Sequence, residues 1–238
     1  MLVIGIETSG LAGSVALTRD GEPLEARSLE QVGRRHAQTL VMEIRQILRN
    51  HHFTTSDVDA VAVSRGPGSF TGLRVGLVCA KTFAYATGCQ FAAVDTFAVT
   101  AMNCPPDVRH AWIVEDAQRG DLVLGHYVRR DQDDWMRDAP IEIVCAEEWL
   151  PRRPADDVIV GRGLLRCDLS SLSARYLADV DVIQPRASTV ALLGERMLQD
   201  RTSYPPVNFD IWQSAPFYMR PSAAEEVRAK RDASAGQI

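Results

Sequence analysis

Excess positive charge is missing from this sequence: its 238 residues carry 26 Lys and Arg against 31 Asp and Glu, a formal net charge of −5. No net basic field therefore draws the chain to nucleic acid, although RNA can still be the substrate of an assembly whose basic surface lies on another subunit. Long hydrophobic runs are missing too. No apolar stretch reaches the roughly 18 residues of a membrane span. The opening residues, MLVIGIETSG, show no basic leader and read directly as a first strand. Cysteine is sparse and unpaired. The five residues Cys79, Cys89, Cys104, Cys145 and Cys167 form no CxxC, which suits reduced thiols in a cytosol rather than a disulfide scaffold or zinc ribbon. Apolar residues make up 46% and charged residues 24%, the balance of a globular chain rather than a disordered one. These absences point to a cytoplasmic globular protein.

Catalytic groups are also scarce. The histidines at 36, 51, 52, 110 and 126 make neither HxxxH nor HExxH, so no metal site is visible. No GxSxG elbow occurs, and Ser69 has no neighbours that suggest a nucleophile.

What is present is a succession of short apolar runs and amphipathic segments. LVIGI at residues 2 to 6 is a buried-strand pattern, and two alternating segments follow around Asp20-Gly21, a strong hairpin signal. From His36 to Arg49 the period changes. Ala37, Leu40, Val41, Ile44, Ile47 and Leu48 fall on one face of a helix. DVDAVAVSRG is a further strand, residues 70 to 86 a long helix, and CQFAAV another strand. Strands and helices alternating at this spacing predict right-handed crossovers in a partly parallel sheet. NCPPDVRH breaks the pattern and marks a lobe boundary. Beyond it AWIVEDA, DLVLGHYVRR, IEIVC and VIVG read as strands, and ASTVALLGERMLQ as a late helix with Ser188 or Thr189 near its N-cap. This divides the chain into a first lobe at 1–103, a second at 104–220 and a mobile tail at 221–238, which has no core pattern.

The stretch SRGPGSFTGLRVG, residues 64 to 76, sits where a strand ends and a helix begins. Glycines let backbone N–H groups approach an anion, and a helix N-terminus adds partial positive charge. The familiar nucleotide motifs are not met, however. Gly72 is followed by Leu73-Arg74 instead of the Walker Lys-Ser/Thr, and Gly66, Gly68 and Gly72 give GxGxxxG instead of GxGxxG. The competing reading has Pro67 and Gly68 shaping the turn while Ser69 caps the helix. Within that helix Gly72, Gly76, Ala80 and Ala84 recur every fourth residue, a nearly bare groove that a closely approaching element would explain. The helix is apolar over most of its circumference, so it is either central to its own core or shared with a partner.

Two further clusters stand out. Glu7, Thr8 and Ser9 close the first strand, where open sheets gather ligand groups, and are candidate nucleotide contacts. The alternative is a turn whose hydroxyls bond to backbone. Glu115, Asp116 and Asp121 invite a paired-carboxylate reading, against which stand a hairpin turn at Gly120-Asp121 and solvated charges.

Taken together, GIETSGLAGSVAL, RRHAQTLVMEIRQIL, SRGPGSFTGLRVGLVCAKTFAYATG and VDTFAVTA resemble one family, with EDAQRGDLVLGHY and APFYMR continuing the match to about Arg220. It is the TsaB family, the partners of TsaD in bacterial synthesis of threonylcarbamoyladenosine next to the anticodon of tRNAs. The resemblance implies an α/β, actin-like and sugar-kinase-like (ASKHA) fold of two related lobes, each a mixed sheet with flanking helices. It implies a non-catalytic scaffold that activates TsaD, meets TsaE in the larger complex, reaches tRNA only indirectly and has no membrane association. It implies no cofactor or metal of the chain's own, with ATP or ADP at the interface with TsaD as an option. In the catalytic paralogue an HxxxH follows the strand equivalent to CQFAAV; this chain has Thr96 and Thr100 there.

The implied docking surface, for TsaD or for a homodimer, lies on the glycine-rich helix and the helix before it: His36, Leu40, Ile44, Ile47, Ser69, Phe70, Gly72, Leu73, Gly76, Leu77, Ala80 and Phe83. The chain departs from the family pattern in two places. Glu7 stands where an aspartate often ends the first strand, and Asp116-Ala117-Gln118 carries its arginine one place late, at Arg119. The alternatives are an actin-like ATP-dependent phosphotransferase and, least supported by the histidine census, a metallopeptidase.

Overall fold

The computed structural model describes residues 1–10, 12–29, 36–131 and 134–220. It opens with strands β1 (Leu2–Glu7), β2 (Gly13–Arg19) and β3 (Glu22–Leu29), then helix α1 (His36–Asn50), β4 (Ala60–Ser64), α2 (Phe70–Thr87) and β5 (Gln90–Val94). The five strands form one sheet in the order β3-β2-β1-β4-β5. β1 pairs antiparallel with β2, and β2 with β3, whereas β4 lies parallel to both β1 and β5. Asp20 and Gly21 both take positive φ, as the tight two-residue hairpin turn requires, so the Asp-Gly signal is met by the backbone. β1 and β4 are buried at every position, which is why they read as continuous apolar runs rather than alternating ones.

A short helix α3 (Thr96–Ala101) leads to the second sheet: β6 (His110–Gln118), β7 (Asp121–Asp131), β8 (Asp134–Arg137), β9 (Glu142–Cys145), and, after α4 (Ala146–Trp149), β10 (Val158–Val160) and β11 (Arg175–Leu177). Its order is β11-β10-β6-β7-β8, with β9 paired to the other half of β7. The two sheets share one plan. Each is a three-strand antiparallel meander, β3-β2-β1 or β8-β7-β6, extended by two parallel strands, β4-β5 or β10-β11. The fold is therefore the two-lobed α/β architecture that the resemblance implies, with the duplication written in strand order rather than in any sequence repeat.

Helices α5 (Val180–Ile183) and α6 (Ala187–Gln199) follow, and two single 3-10 turns come after them among the described residues. Although α6 follows the second sheet in sequence, it packs on the first, where Val190, Ala191 and Leu198 meet Val3, Ala60, Ala62 and Ala92. The small side chains on that face let α6 approach closely; a Cβ on Gly194 would stand 2.3 Å from that of Ala62. The opposite face of the sheet carries α1 and α2, which bury Leu40, Ile44, Ile47 and Leu77 against Ile4, Ile6, Val15 and Leu17. The first sheet is thus covered on both faces. α6 begins two positions earlier than a Ser188 cap would set it: Arg186 occupies the N-cap without a side-chain bond, and Ser188 lies inside the helix. The tail at 221–238 lies outside the described residues. Among those described, no helix is long and apolar enough to cross a membrane.

Candidate functional site

The glycine turn is closed by its own chain. Ser69 caps α2 by accepting the Gly72 N–H at 3.2 Å, and donates its own N–H to the Ser9 carbonyl at 2.9 Å. The Gly66 N–H is taken by the Thr96 hydroxyl at 3.0 Å. Three of the amides that a phosphate loop would aim at an anion therefore already have partners. The glycines are required by close approach. A Cβ on Gly72 would lie 1.9 Å from the Thr8 carbonyl oxygen, and one on Gly76 would lie 2.2 Å from the Thr8 hydroxyl. Gly66 adds a backbone reason, with φ at +116° and Phe217 pressed against it. The turn brings the end of β1 and the start of α2 together.

Glu7, Thr8 and Ser9, the expected nucleotide contacts, are held within the same joint. All three are buried. The Glu7 carboxylate accepts the Ser9 N–H at 2.5 Å and the hydroxyls of Ser9 and Ser64, while the Thr8 hydroxyl donates to the Gly72 carbonyl at 2.8 Å. Burial pushes the Glu7 carboxyl above its usual range, against the pull of those donors and of Arg162. These side chains are spent on joining strand to helix.

Between the lobes lies a cleft of about 670 Å³, bordered by Ser9, Gly68, Ser69, Phe70, Glu115, Arg166 and Tyr218. Of the clustered carboxylates of the second lobe, Glu115 and Asp116 line this cleft, and each of the three has its own arginine: Glu115 with Arg162 at 3.0 Å, Asp116 with Arg166 at 2.9 Å, and Asp121 with Arg220. They are neither a catalytic pair nor free solvated charges, and the partners come from sequence positions too distant for spacing to reveal. Arg162 also donates to the Ser9 carbonyl at 3.2 Å, joining the lobes. The last described segment adds a second tie. Phe217 donates its N–H to the Arg65 carbonyl at 2.7 Å, Tyr218 stacks on Phe70 with centroids 4.4 Å apart, and Arg220 donates to the Ala117 carbonyl at 3.0 Å.

A second concavity, about 940 Å³, runs between α1 and α2 and is walled by Val41, Ile44, Leu48, Phe53, Val75, Val78 and Phe83. Of the expected docking residues, only Ile44 on its floor and Phe83 on its wall belong to it. Leu40, Ile47, Gly72, Leu73, Gly76, Leu77 and Ala80 are buried against the chain's own first lobe, and Ser69 and Phe70 border the interlobe cleft. The side chain of His36 lies outside the described residues. The glycine ridge is the inward face of α2, because only bare backbone can lie that close to Thr8. The exposed apolar surface is carried instead by Val41 and Met42 on α1 and by Val78 and Tyr85 on α2, between 59% and 69% exposed. Their signal was legible: Val78 and Tyr85 are seven residues apart, on the side of the helix away from the glycines.

The family model for "TsaD: tRNA N6-adenosine threonylcarbamoyltransferase" matches residues 30–152. The tRNA threonylcarbamoyladenosine biosynthesis protein TsaB of Haemophilus influenzae is 37% identical over 197 residues, covering 79% of this chain and 82% of that protein. The chain belongs to the TsaB family. The TsaB of Escherichia coli is 26% identical over 230 residues, 94% of this chain and 96% of that one. A structure described as YeaZ from Pseudomonas aeruginosa superposes with a TM-score of 0.74 at 24% identity, covering 92% of this chain and 99% of that chain, and supports the two-lobed fold.

Within this TsaB-family fold Thr96 and Thr100 lie on α3 and are both buried. Thr96 accepts from the glycine turn through its hydroxyl, and its carbonyl accepts from the Thr100 hydroxyl at 3.1 Å. Both side chains are committed to backbone. Among the described residues no group of three or more His, Cys, Asp or Glu converges on one point.

Proposed function

We propose that this chain serves tRNA threonylcarbamoyladenosine synthesis as a non-catalytic scaffold that binds TsaD through the groove between α1 and α2. The observation that carries the reading is the groove itself. It joins about 940 Å³ of apolar concavity to a strip of large apolar side chains that stand in solvent, including Val78 at 63% exposure. Contiguous exposed apolar surface of this kind marks protein contact sites. The TsaB relatives named above are biosynthesis proteins of this modification, and the partner implied by the resemblance is TsaD.

The non-catalytic part of the proposal rests on Thr96 and Thr100. These positions replace the histidines of the catalytic paralogue, and both hydroxyls are already hydrogen-bonded within the fold. Glu7, Thr8 and Ser9 are enclosed, which supports the reading in which any ATP or ADP sits at the interface with TsaD rather than on this chain alone. In this reading TsaE belongs to the larger complex, and tRNA is met only through that complex.

Reconstitution tests this function. Transfer RNA modification is measured with cognate TsaD, TsaE and the threonylcarbamoyl-adenylate synthase, with and without this chain. Modification should require the chain, and the isolated chain should hydrolyse no ATP. Full modification in its absence would overturn the proposal.

A further inference from the structure

The groove is apolar in its walls but one-signed at its rim. Arg45 and Arg49 from α1 and Arg74 from α2 line it, and no aspartate or glutamate does. α2 contains no acidic residue at all, and the only acid of α1, Glu43, is turned to the far side of the helix, where it pairs with Arg27 of β3. All three arginines are exposed, and no carboxylate contacts any of them among the described residues. Arg74 is held in place without being neutralised: it donates to the Tyr218 hydroxyl at 2.8 Å and lies over the Phe70 ring at 3.9 Å. A chain whose net charge is −5 thus gathers three arginines, without a carboxylate partner among the described residues, around this apolar groove.

We infer that this rim selects the occupant of the groove: an apolar helical surface flanked by carboxylates, on a chain different from this one. The inference rests on the docking reading above and adds the partner's chemistry to it. Two-fold self-pairing would set the same arginines against each other across a shared apolar seam, and like charges brought together in a partly dry interface oppose association. A partner that places Asp or Glu beside its apolar anchors gains the same burial and neutralises the rim. Apolar contact then supplies the adhesion, and charge decides between self and partner.

The test uses two variants of the full chain, each first shown by circular dichroism and melting to be folded. Arg45→Gln with Arg49→Gln removes charge from exposed positions. TsaD affinity at low salt should fall about tenfold, the salt dependence of binding should flatten, and self-association in sedimentation should rise. Opposite movements of the two equilibria are the signature. Unchanged TsaD binding by this variant, or weaker self-association, overturns the inference. Val78→Glu places a charge within the apolar wall and should abolish TsaD binding. If Val78→Glu binds as wild type, the groove is not the docking site and both readings fall. If Val78→Glu is inactive and the arginine variant behaves as wild type, only the inference about charge falls.

Discussion

Trp212 stands edge-on to Tyr85, their ring centroids 5.7 Å apart and the planes at 73°, with the two residues 76% and 69% exposed. Two large aromatics supporting each other in solvent lie along the same outward side of α2 as Val78. The apolar strip therefore continues from the groove, past the end of the helix, to a residue more than 120 positions later in sequence. Aromatic side chains in such settings contribute disproportionately when a partner covers them.

The glycine ridge of α2 should behave as core and not as interface. Gly72→Ala sets a methyl against the Thr8 carbonyl, and Gly76→Leu forces a branched side chain between α2 and β1. Each should cost about 3 kcal/mol, the upper end of overpacking, read as a shift in the denaturant midpoint with unchanged slope. A Gly76→Leu protein with wild-type stability and lost TsaD binding would restore the ridge as a docking surface.

A pH effect follows from Glu7. Its carboxyl is held above the usual range by burial, so the folded chain keeps this proton to higher pH than the unfolded chain does. The contribution to stability is complete below the unfolded pKa and is lost as pH rises through the folded one. Glu7→Gln keeps an acceptor for the Ser9 and Ser64 donors and removes the titration. Urea unfolding from pH 4 to 8 should show wild type losing stability relative to Glu7→Gln as pH rises. A constant difference across the range would contradict this account.

The first lobe was legible because its signals are local. Asp20-Gly21 names its own turn, Ser69 stands where a cap belongs, and α1 repeats its apolar face for three turns. The side of α2 that faces inward was not legible in the same way. Bare glycine backbone suits a neighbouring helix of another chain as well as a strand of its own, and only the position of Thr8 decides between them. Glu7, Thr8 and Ser9 illustrate the same limit. A polar strand end fits a ligand site, yet burial by Ser64 and α2 turned it into a joint. The arginine partners of Glu115, Asp116 and Asp121 come from residues 162, 166 and 220, distances along the chain that no periodicity spans.

The joint between the lobes should depend on Arg162. Its guanidinium holds the Glu115 carboxylate and the Ser9 carbonyl, with side-chain exposures of only 11% and 18% for the pair. Arg162→Met leaves Glu115 without a partner and should destabilise by about 3 kcal/mol, as breaking enclosed pairs does. Adding Glu115→Gln should recover part of that loss, because the stranded charge goes with it. A double-mutant cycle in denaturant measures the coupling. Strictly additive effects, each below about 1 kcal/mol, would show that the pair does not hold the lobes.

Trp212→Ala separates binding from folding most cleanly. The side chain is three-quarters solvent-exposed and its main internal contact is the edge of Tyr85, so its removal should change stability by no more than about 0.5 kcal/mol. A partner that covers the strip would desolvate the whole indole, and truncating such an anchor typically costs about 2 kcal/mol, roughly thirtyfold in Kd. The two measurements are a thermal melt of the free chain and a titration against TsaD. A normal melt with thirtyfold weaker binding would extend the docking surface from the groove to the end of α2. If binding stays at the wild-type value, the partner stops short of Trp212 and contacts only the groove between α1 and α2.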